Sequence, residues 1–258
     1  MPNFEKHDPG TFCWIELATT DGPGAKAYYE SLFGWTTNEN VMGGELGTYY
    51  IFQKNGRDCA AMYQMGKDMA GMPPNWMTYV AVASADEAAE KAKSLGGNVM
   101  MGPFDVMDYG RMAVLFDPQG AAFSLWEPKA NIGLQIRDEA NTLGWNELQA
   151  RDVDAAKKFY APLFGWTLKE SPEYTEFHLG ERAIGGMLKS QAPEGVPSFW
   201  LPYFVVDDCD AAVQKSSASG GSVHVPPMDI PNVGRFAVIT DPQGASFAVI
   251  KLELQPKQ

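Results

Sequence analysis

The sequence predicts an α+β protein made of two tandem copies of one domain. Three observations carry this. First, the chain repeats itself in order. Trp14-Ile15-Glu16-Leu17 returns as Trp145-Asn146-Glu147-Leu148, Leu32-Phe33-Gly34-Trp35 as Leu163-Phe164-Gly165-Trp166, and Asp117-Pro118-Gln119-Gly120-Ala121 as Asp241-Pro242-Gln243-Gly244-Ala245. Second, each stretch with helical spacing is followed by a run of short hairpins, which favours helices packed on one face of a largely antiparallel sheet. Third, the first strand is followed by no glycine-rich phosphate loop, so a parallel doubly wound sheet is not indicated. The domains are placed at 11–127 and 142–253, with 128–141 as a polar linker.

The elements follow in order. Residues Leu143 to Gln149 alternate, with Trp145, Glu147 and Gln149 on one side. Asp152 is an N-cap candidate, and Ala155, Ala156, Phe159, Tyr160 and Leu163 make a helical stripe that Gly165 ends. In the first half Ala25, Tyr28, Tyr29, Leu32 and Phe33 do the same before Gly34. A hairpin follows at Thr48 to Gln53 and Asp58 to Gln64, matched by Thr175 to Leu179 and Ala183 to Lys189. Next come strands at Met77 to Ala83 and Leu201 to Val206. Second helices are expected over Ala85 to Leu95 and Cys209 to Ser219, stopped by paired glycines. A last hairpin, Arg111 to Phe116 and Ala122 to Trp126, turns on Asp117-Pro118-Gln119-Gly120, whose Pro at i+1 and Gly at i+3 suit a tight turn.

Composition narrows the function. The chain has 258 residues, 45% hydrophobic and 20% charged, enough for two domains with cores of their own. A net charge of −12 argues against nucleic acid or an anionic membrane as partner. No apolar run approaches the roughly 20 residues needed to cross a bilayer, and the first ten residues lack the apolar core of a signal peptide. Cys13, Cys59 and Cys209 are not equivalent between the halves and fit free thiols in a reducing cytoplasm.

The ordered set, with Phe159-Tyr160 and Leu163-Phe164-Gly165-Trp166 closing the first helix, Gly220-Gly221 closing the second and the Asp-Pro-x-Gly turn before the last strand, resembles the vicinal-oxygen-chelate superfamily. That superfamily includes glyoxalase I, the bleomycin-resistance proteins and the extradiol dioxygenases. The resemblance covers nearly the whole chain and implies paired βαβββ modules curled into half-open barrels, four modules and two cavities in all. In metal-dependent members the resemblance would place ligands at Trp14 or Trp145, around Ala60–Ala61 or Gly185–Gly186, around Met77 or Leu201, and at Ser124 or Ala248. None of these is His, Asp or Glu, the donors a divalent cation needs. No metal or other cofactor is therefore expected.

The repeated pairs Trp14 with Glu16 and Trp145 with Glu147 are the candidate site residues. Two apart on a strand, each pair shares a face, and with Ile15 and Leu17 turned to the helix that face is the cavity. A buried carboxylate needs compensation. Arg111 and Arg235, from the repeated Gly-Arg-x-Ala-Val segments, are the expected partners. Three readings stay open: a self-sufficient Glu–Arg pair, a carboxylate of raised pKa acting as acid or base, or direct contact with a polar ligand. Trp76 with Trp200 and Tyr79 with Tyr203 complete the expected aromatic lining, suited to a flat, partly polar organic molecule. The methionines of the first half, with Met65 to Met72 read as a flap, suit a permissive pocket or equally pad a loop.

Two functional classes lead, with a structural or interaction protein as a third. One is a binding protein, like the bleomycin-resistance members, that holds a small aromatic or heteroaromatic molecule. The alternative is an enzyme of the glyoxalase or dioxygenase type, a lyase, isomerase or hydroxylase-like activity, using Glu16 or Glu147 as acid or base or a divalent metal in an unfamiliar place. His178, His224 and Glu147 are a further set without a spacing signal. A monomer or homodimer is expected.

Overall fold

The computed structural model describes residues 4–42 and 47–253. Domain 1 opens with strand β1 (Phe12–Thr19), helix α1 (Gly22–Phe33) and strands β2 (Thr36–Val41), β3 (Thr48–Lys54) and β4 (Arg57–Gln64). The same βαβββ order returns as β5 (Asn75–Ala81), α2 (Ala85–Ser94), β6 (Asn98–Val106), β7 (Gly110–Phe116) and β8 (Ala122–Pro128). Domain 2 repeats it with β9 (Leu143–Ala150), α3 (Val153–Phe164), β10 (Thr167–Glu170), β11 (Thr175–Leu179) and β12 (Arg182–Lys189). Its second module is β13 (Phe199–Val205), α4 (Cys209–Ala218), β14 (Ser222–Ile230), β15 (Gly234–Thr240) and β16 (Ser246–Leu252).

Each domain is one 8-stranded sheet, ordered β2-β3-β4-β1-β5-β8-β7-β6 and β10-β11-β12-β9-β13-β16-β15-β14. The modules join through their first strands, β1 against β5 and β9 against β13, both antiparallel. The first strand of a module runs parallel to its last, as in β1 with β4 and β5 with β8. The α+β architecture of tandem paired modules is as the sequence predicts. The edge strands, β2 and β6 in one sheet and β10 and β14 in the other, were not placed from the sequence, because an exposed edge shows little apolar alternation.

The helices form where caps and stripes direct them. The Asp21 carboxylate accepts from the Gly24 amide and that of Asp152 from the Ala155 amide, each at 3.0 Å, satisfying a first-turn donor. Both helices stop at a glycine in the left-handed region, Gly34 at φ 69° and Gly165 at φ 72°. The stripes face not one sheet but the seam between two. α1 packs against α4 and α2 against α3, and each of the two large cores draws residues from both domains.

A reciprocal polar network sits in that seam. In domain 1 the Tyr29 hydroxyl donates to Asp241 Oδ2 of domain 2 at 2.8 Å, and the Trp76 indole donates to Tyr29 Oη at 3.1 Å. In domain 2 the Tyr160 hydroxyl donates to Asp117 Oδ2 of domain 1 at 3.0 Å, and Trp200 donates to Tyr160 Oη at 3.1 Å. The other oxygen of each Asp holds its turn: Asp117 Oδ1 accepts from the Gln119 and Ala121 amides, Asp241 Oδ1 from those of Gln243, Gly244 and Ala245. Each Asp-Pro-Gln-Gly turn is thus completed by a phenol from the opposite domain.

The segment between the domains is less polar in place than in sequence. Leu134 and Ile136 are fully buried. The Leu134 amide donates to Cys13 O at 2.7 Å, and Arg137 donates to Phe12 O at 2.9 Å. Gly133, at φ +99°, passes so close to Cys13 O that any Cβ would collide with it. The His7 ring is buried against this segment and bonds Leu134 O at 2.8 Å.

Candidate functional site

Strand alternation sorts each sheet into an outer face, packed in the seam, and an inner face curled around a cup. In domain 1 the register sets Glu16 beside Met77, Trp14 beside Tyr79 and Tyr79 beside Ser124. These are inner residues. Ile15, Leu17, Phe123 and Leu125 lie in the seam cores on the other side. In domain 2 the same rows are Glu147 beside Leu201, Trp145 beside Tyr203 and Tyr203 beside Ala248.

Each cup is centred on its carboxylate. Tyr49 Oη donates to Glu16 Oε1 at 2.5 Å and Tyr79 Oη to Glu16 Oε2 at 2.8 Å. The Trp14 indole in turn bonds the Tyr49 hydroxyl. Domain 2 repeats the constellation. Tyr203 Oη donates to Glu147 Oε1 at 2.7 Å, Tyr174 also bonds this carboxylate, and the Trp145 indole donates to Tyr174 Oη at 2.7 Å. Gln149 adds a fifth member, donating to Glu147 Oε1 at 2.7 Å. Burial raises the pKa of both carboxyls, and the phenol hydrogen bonds hold them back from a larger rise. The same burial, with the facing carboxylate, pushes the Tyr49, Tyr79, Tyr174 and Tyr203 phenols far up, so they remain donors at neutral pH.

The expected lining is met in part. Trp14, Glu16, Tyr79 and their counterparts Trp145, Glu147 and Tyr203 come together. Trp76 and Trp200 do not: each lies on the outer face, in the seam network above. Their parity is opposite to that of Tyr79 and Tyr203, three residues on. The expected Glu–Arg pairs are also absent. Arg111 lies on the outer side with Ala113 and Leu115, and its guanidinium forks onto Asp86 at 2.6 and 2.9 Å. Arg235 does the same with Asp210 at 2.6 and 3.0 Å. Tyrosine hydroxyls, not guanidinium groups, compensate the cup carboxylates.

Tyr49 and Tyr174 are the members that sequence reasoning missed. A signal existed, since each stands three residues before a phenylalanine on matching hairpins, Tyr49 before Phe52 and Tyr174 before Phe177. The histidine set is not assembled: His178 bonds its neighbour Glu176 at 2.7 Å, and His224 is exposed on β14.

The donors do not fit a divalent cation. The fold brings Trp14, Met77, Ala61 and Ser124 onto one cup floor, and indole, thioether, methyl and hydroxyl groups cannot replace imidazole and carboxylate. The nearby carboxylate, Glu16, has both oxygens engaged by phenols. Among the described residues no three His, Cys, Asp or Glu side chains gather in a metal-binding group.

Eight-stranded cups built of paired βαβββ modules, two to a chain and each floored by the first strands, define a class of fold shared by metalloenzymes and binding proteins. The chain belongs to the Glyoxalase/Bleomycin resistance protein/Dioxygenase superfamily, whose sequence profile matches residues 11–125 and 142–249. It is 42% identical over 257 residues to the Mycobacterium tuberculosis protein named "Putative glyoxylase CFP32", covering 97% of this chain and 98% of that one. It is 34% identical over 260 residues to the anthracycline biosynthesis protein DnrV of Streptomyces peucetius, covering 95% and 94%. Among solved structures it resembles the Mn(II)-bound glyoxalase of Novosphingobium aromaticivorans, with TM-score 0.67 and 14% identity over 95% of this chain and 83% of that one. It also resembles the 2,3-dioxygenase LapB of Pseudomonas sp. KL28, with TM-score 0.65 and 12% identity over 96% and 93%. At such identities the structural likeness speaks for the fold alone. No helix among the described residues is long and apolar enough to cross a membrane.

Proposed function

We propose that this protein binds a small aromatic or heteroaromatic molecule in a cup that works without a resident metal. The supporting observation is the duplicated Trp–Tyr–Glu–Tyr constellation. It stands where the fold gathers side chains on the cup floor, and it offers hydrogen-bond groups within aromatic walls instead of cation ligands. Such a lining suits a planar, partly polar ligand. The relationship to a protein named for anthracycline biosynthesis is consistent with a polycyclic aromatic ligand. Titrating 1,4-dihydroxyanthraquinone against tryptophan fluorescence tests the reading. Saturable quenching, weakened at least tenfold in one or both of Glu16→Gln and Glu147→Gln according to which cup is occupied, is expected from loss of a charged hydrogen-bonding centre. No saturable signal for this compound and a panel of related quinones and phenols would count decisively against it.

One observation favours a second reading, catalysis by the carboxylate. Glu16 keeps some accessible surface, its pKa is raised by burial, and Tyr49 approaches it at 2.5 Å. A carboxyl so placed suits proton abstraction beside a carbonyl. Elemental analysis of protein purified without chelator, together with turnover in Glu16→Gln, separates the readings. A stoichiometric metal would overturn the metal-free proposal, and metal-free turnover lost in Glu16→Gln would establish the acid–base enzyme.

A further inference from the structure

The two cups share a carboxylate centre but differ one strand away from it. In domain 1 the residue beside Tyr79 is Ser124 and in domain 2 the residue beside Tyr203 is Ala248. Both are fully buried. Among the described residues Ser124 Oγ has no hydrogen-bond partner. Buried hydroxyls nearly always have one, and this one faces inward, on the same side as Tyr79 and between it and Val114. An inward hydroxyl with free donor and acceptor capacity, covered in this structure, becomes a recognition point for an oxygen carried on an apolar ring once the adaptable thioethers of Met77 and Met112 on the same face move aside.

The walls differ in the same sense. Domain 1 lines its inner face with Met77, Met112 and Trp126, and Met101 and Phe104 on β6 stand 54% and 37% exposed opposite Val114 and Met112. This wall offers adaptable thioethers and surface to cover. In domain 2 the inner residues Leu201, Tyr203, Val205, Ala248 and Ile250 form a packed cluster, with Met228 on β14 48% exposed opposite Phe236; in domain 1 Tyr79 and Trp126 are equally buried, and the difference lies in the half-buried Met77 where domain 2 has the buried Leu201. The Tyr203 ring lies 6.1 Å from that of Phe236, which stands where domain 1 has Met112. Glu147 is 6% exposed and carries the additional Gln149 bond, whereas Glu16 keeps more of its surface.

We propose that the cup of domain 1 is the ligand site, and that it selects a planar aromatic molecule bearing a hydroxyl or keto oxygen which bonds Ser124 Oγ while its rings lie between Met77, Met112 and Trp126. This rests on the binding function proposed above. The cup of domain 2 keeps the carboxylate–phenol centre as internal structure, its space taken by its own side chains.

Calorimetric titration with 2-naphthol, and with naphthalene as its oxygen-free counterpart, tests the assignment. One 2-naphthol per chain is expected. Ser124→Ala should weaken it roughly fivefold, the worth of one neutral hydrogen bond, and leave naphthalene within twofold. Ser124→Cys, with nearly the same shape and a weaker donor, should fall between. Two equal molecules per chain, or 2-naphthol binding indifferent to both Ser124 variants, would overturn the assignment while leaving aromatic binding intact. Failure of both compounds to bind the wild type would instead sink the binding function itself, and this site with it.

Discussion

The two domains agree on the face they share and differ on the face each keeps to itself. In the seam the triads correspond, Trp76, Tyr29 and Asp241 on one side and Trp200, Tyr160 and Asp117 on the other, at similar distances, although the Tyr28–Ser216 bond of one side is replaced by Phe159 and Ala92 on the other. In the cups Met77 faces Leu201 across the repeat, Met112 faces Phe236, and Ser124 faces Ala248. A duplicated fold holds constant what both copies must build together. The surface that only one copy uses is free to diverge. The divergent face is therefore where function is sought, and the shared one where stability is.

Four measurements sharpen or break that comparison. The largest effect is expected in the seam. Asp117→Ala and Asp241→Ala each strip a buried phenol and several backbone amides of their acceptor, and should each cost about 3–5 kcal/mol of unfolding free energy. Denaturant unfolding should give similar losses for the two, and a large inequality would break the seam symmetry. Second in size, Glu16→Gln should weaken 1,4-dihydroxyanthraquinone by roughly 10–100-fold, as for loss of a charged hydrogen-bonding group, while Glu147→Gln stays within about threefold. Equal losses would mean that both cups bind.

Third is a pH dependence. A carboxyl whose pKa is raised on folding holds its proton more tightly folded than unfolded. Its contribution is most favourable below the ordinary carboxyl range and is lost as pH rises through that range to the raised value. Glu16 and Glu147 share this direction, both through burial. The Glu16→Gln, Glu147→Gln double variant should therefore gain in Tm relative to wild type as pH is raised from about 4 to 7. A constant difference across that range would contradict the raised values. The smallest effect belongs to the arginines. Arg111→Ala and Arg235→Ala break surface forks onto Asp86 and Asp210, should each cost less than about 1 kcal/mol, and should leave ligand affinity unchanged. A large binding loss in either would restore the expected Glu–Arg pairing.

Much of this was legible in the chain. The caps at Asp21 and Asp152, the stops at Gly34 and Gly165 and the Asp-Pro-Gln-Gly turns are local chemistry, and local chemistry repeats visibly. The pairing of Trp with Glu on one strand face followed from a period of two. What failed was parity carried across a single strand. Trp76 and Tyr79 are three apart and cannot face the same way, and Arg111 shares its side with Ala113 and Leu115. Tyr49 and Tyr174 carried a local mark, the matching spacing to Phe52 and Phe177, but their role depends on which hairpin curls over the first strand, a long-range fact which that spacing does not encode. The crossing of the two phenols was likewise invisible, since a tyrosine in an amphipathic stripe looks like core and nothing near it in sequence names its acceptor.

The exchanged phenols have a consequence for how the molecule tolerates being divided. A polypeptide severed between the repeats leaves two fragments, each with an aspartate that has lost its tyrosine and a tyrosine that has lost its aspartate. Neither fragment holds within itself what would close its own bend. Mixed together, the pieces should supply each other, so the intact protein resembles a heterodimer whose subunits are covalently joined, by a connection that itself packs Leu134 and Ile136 into the shared core.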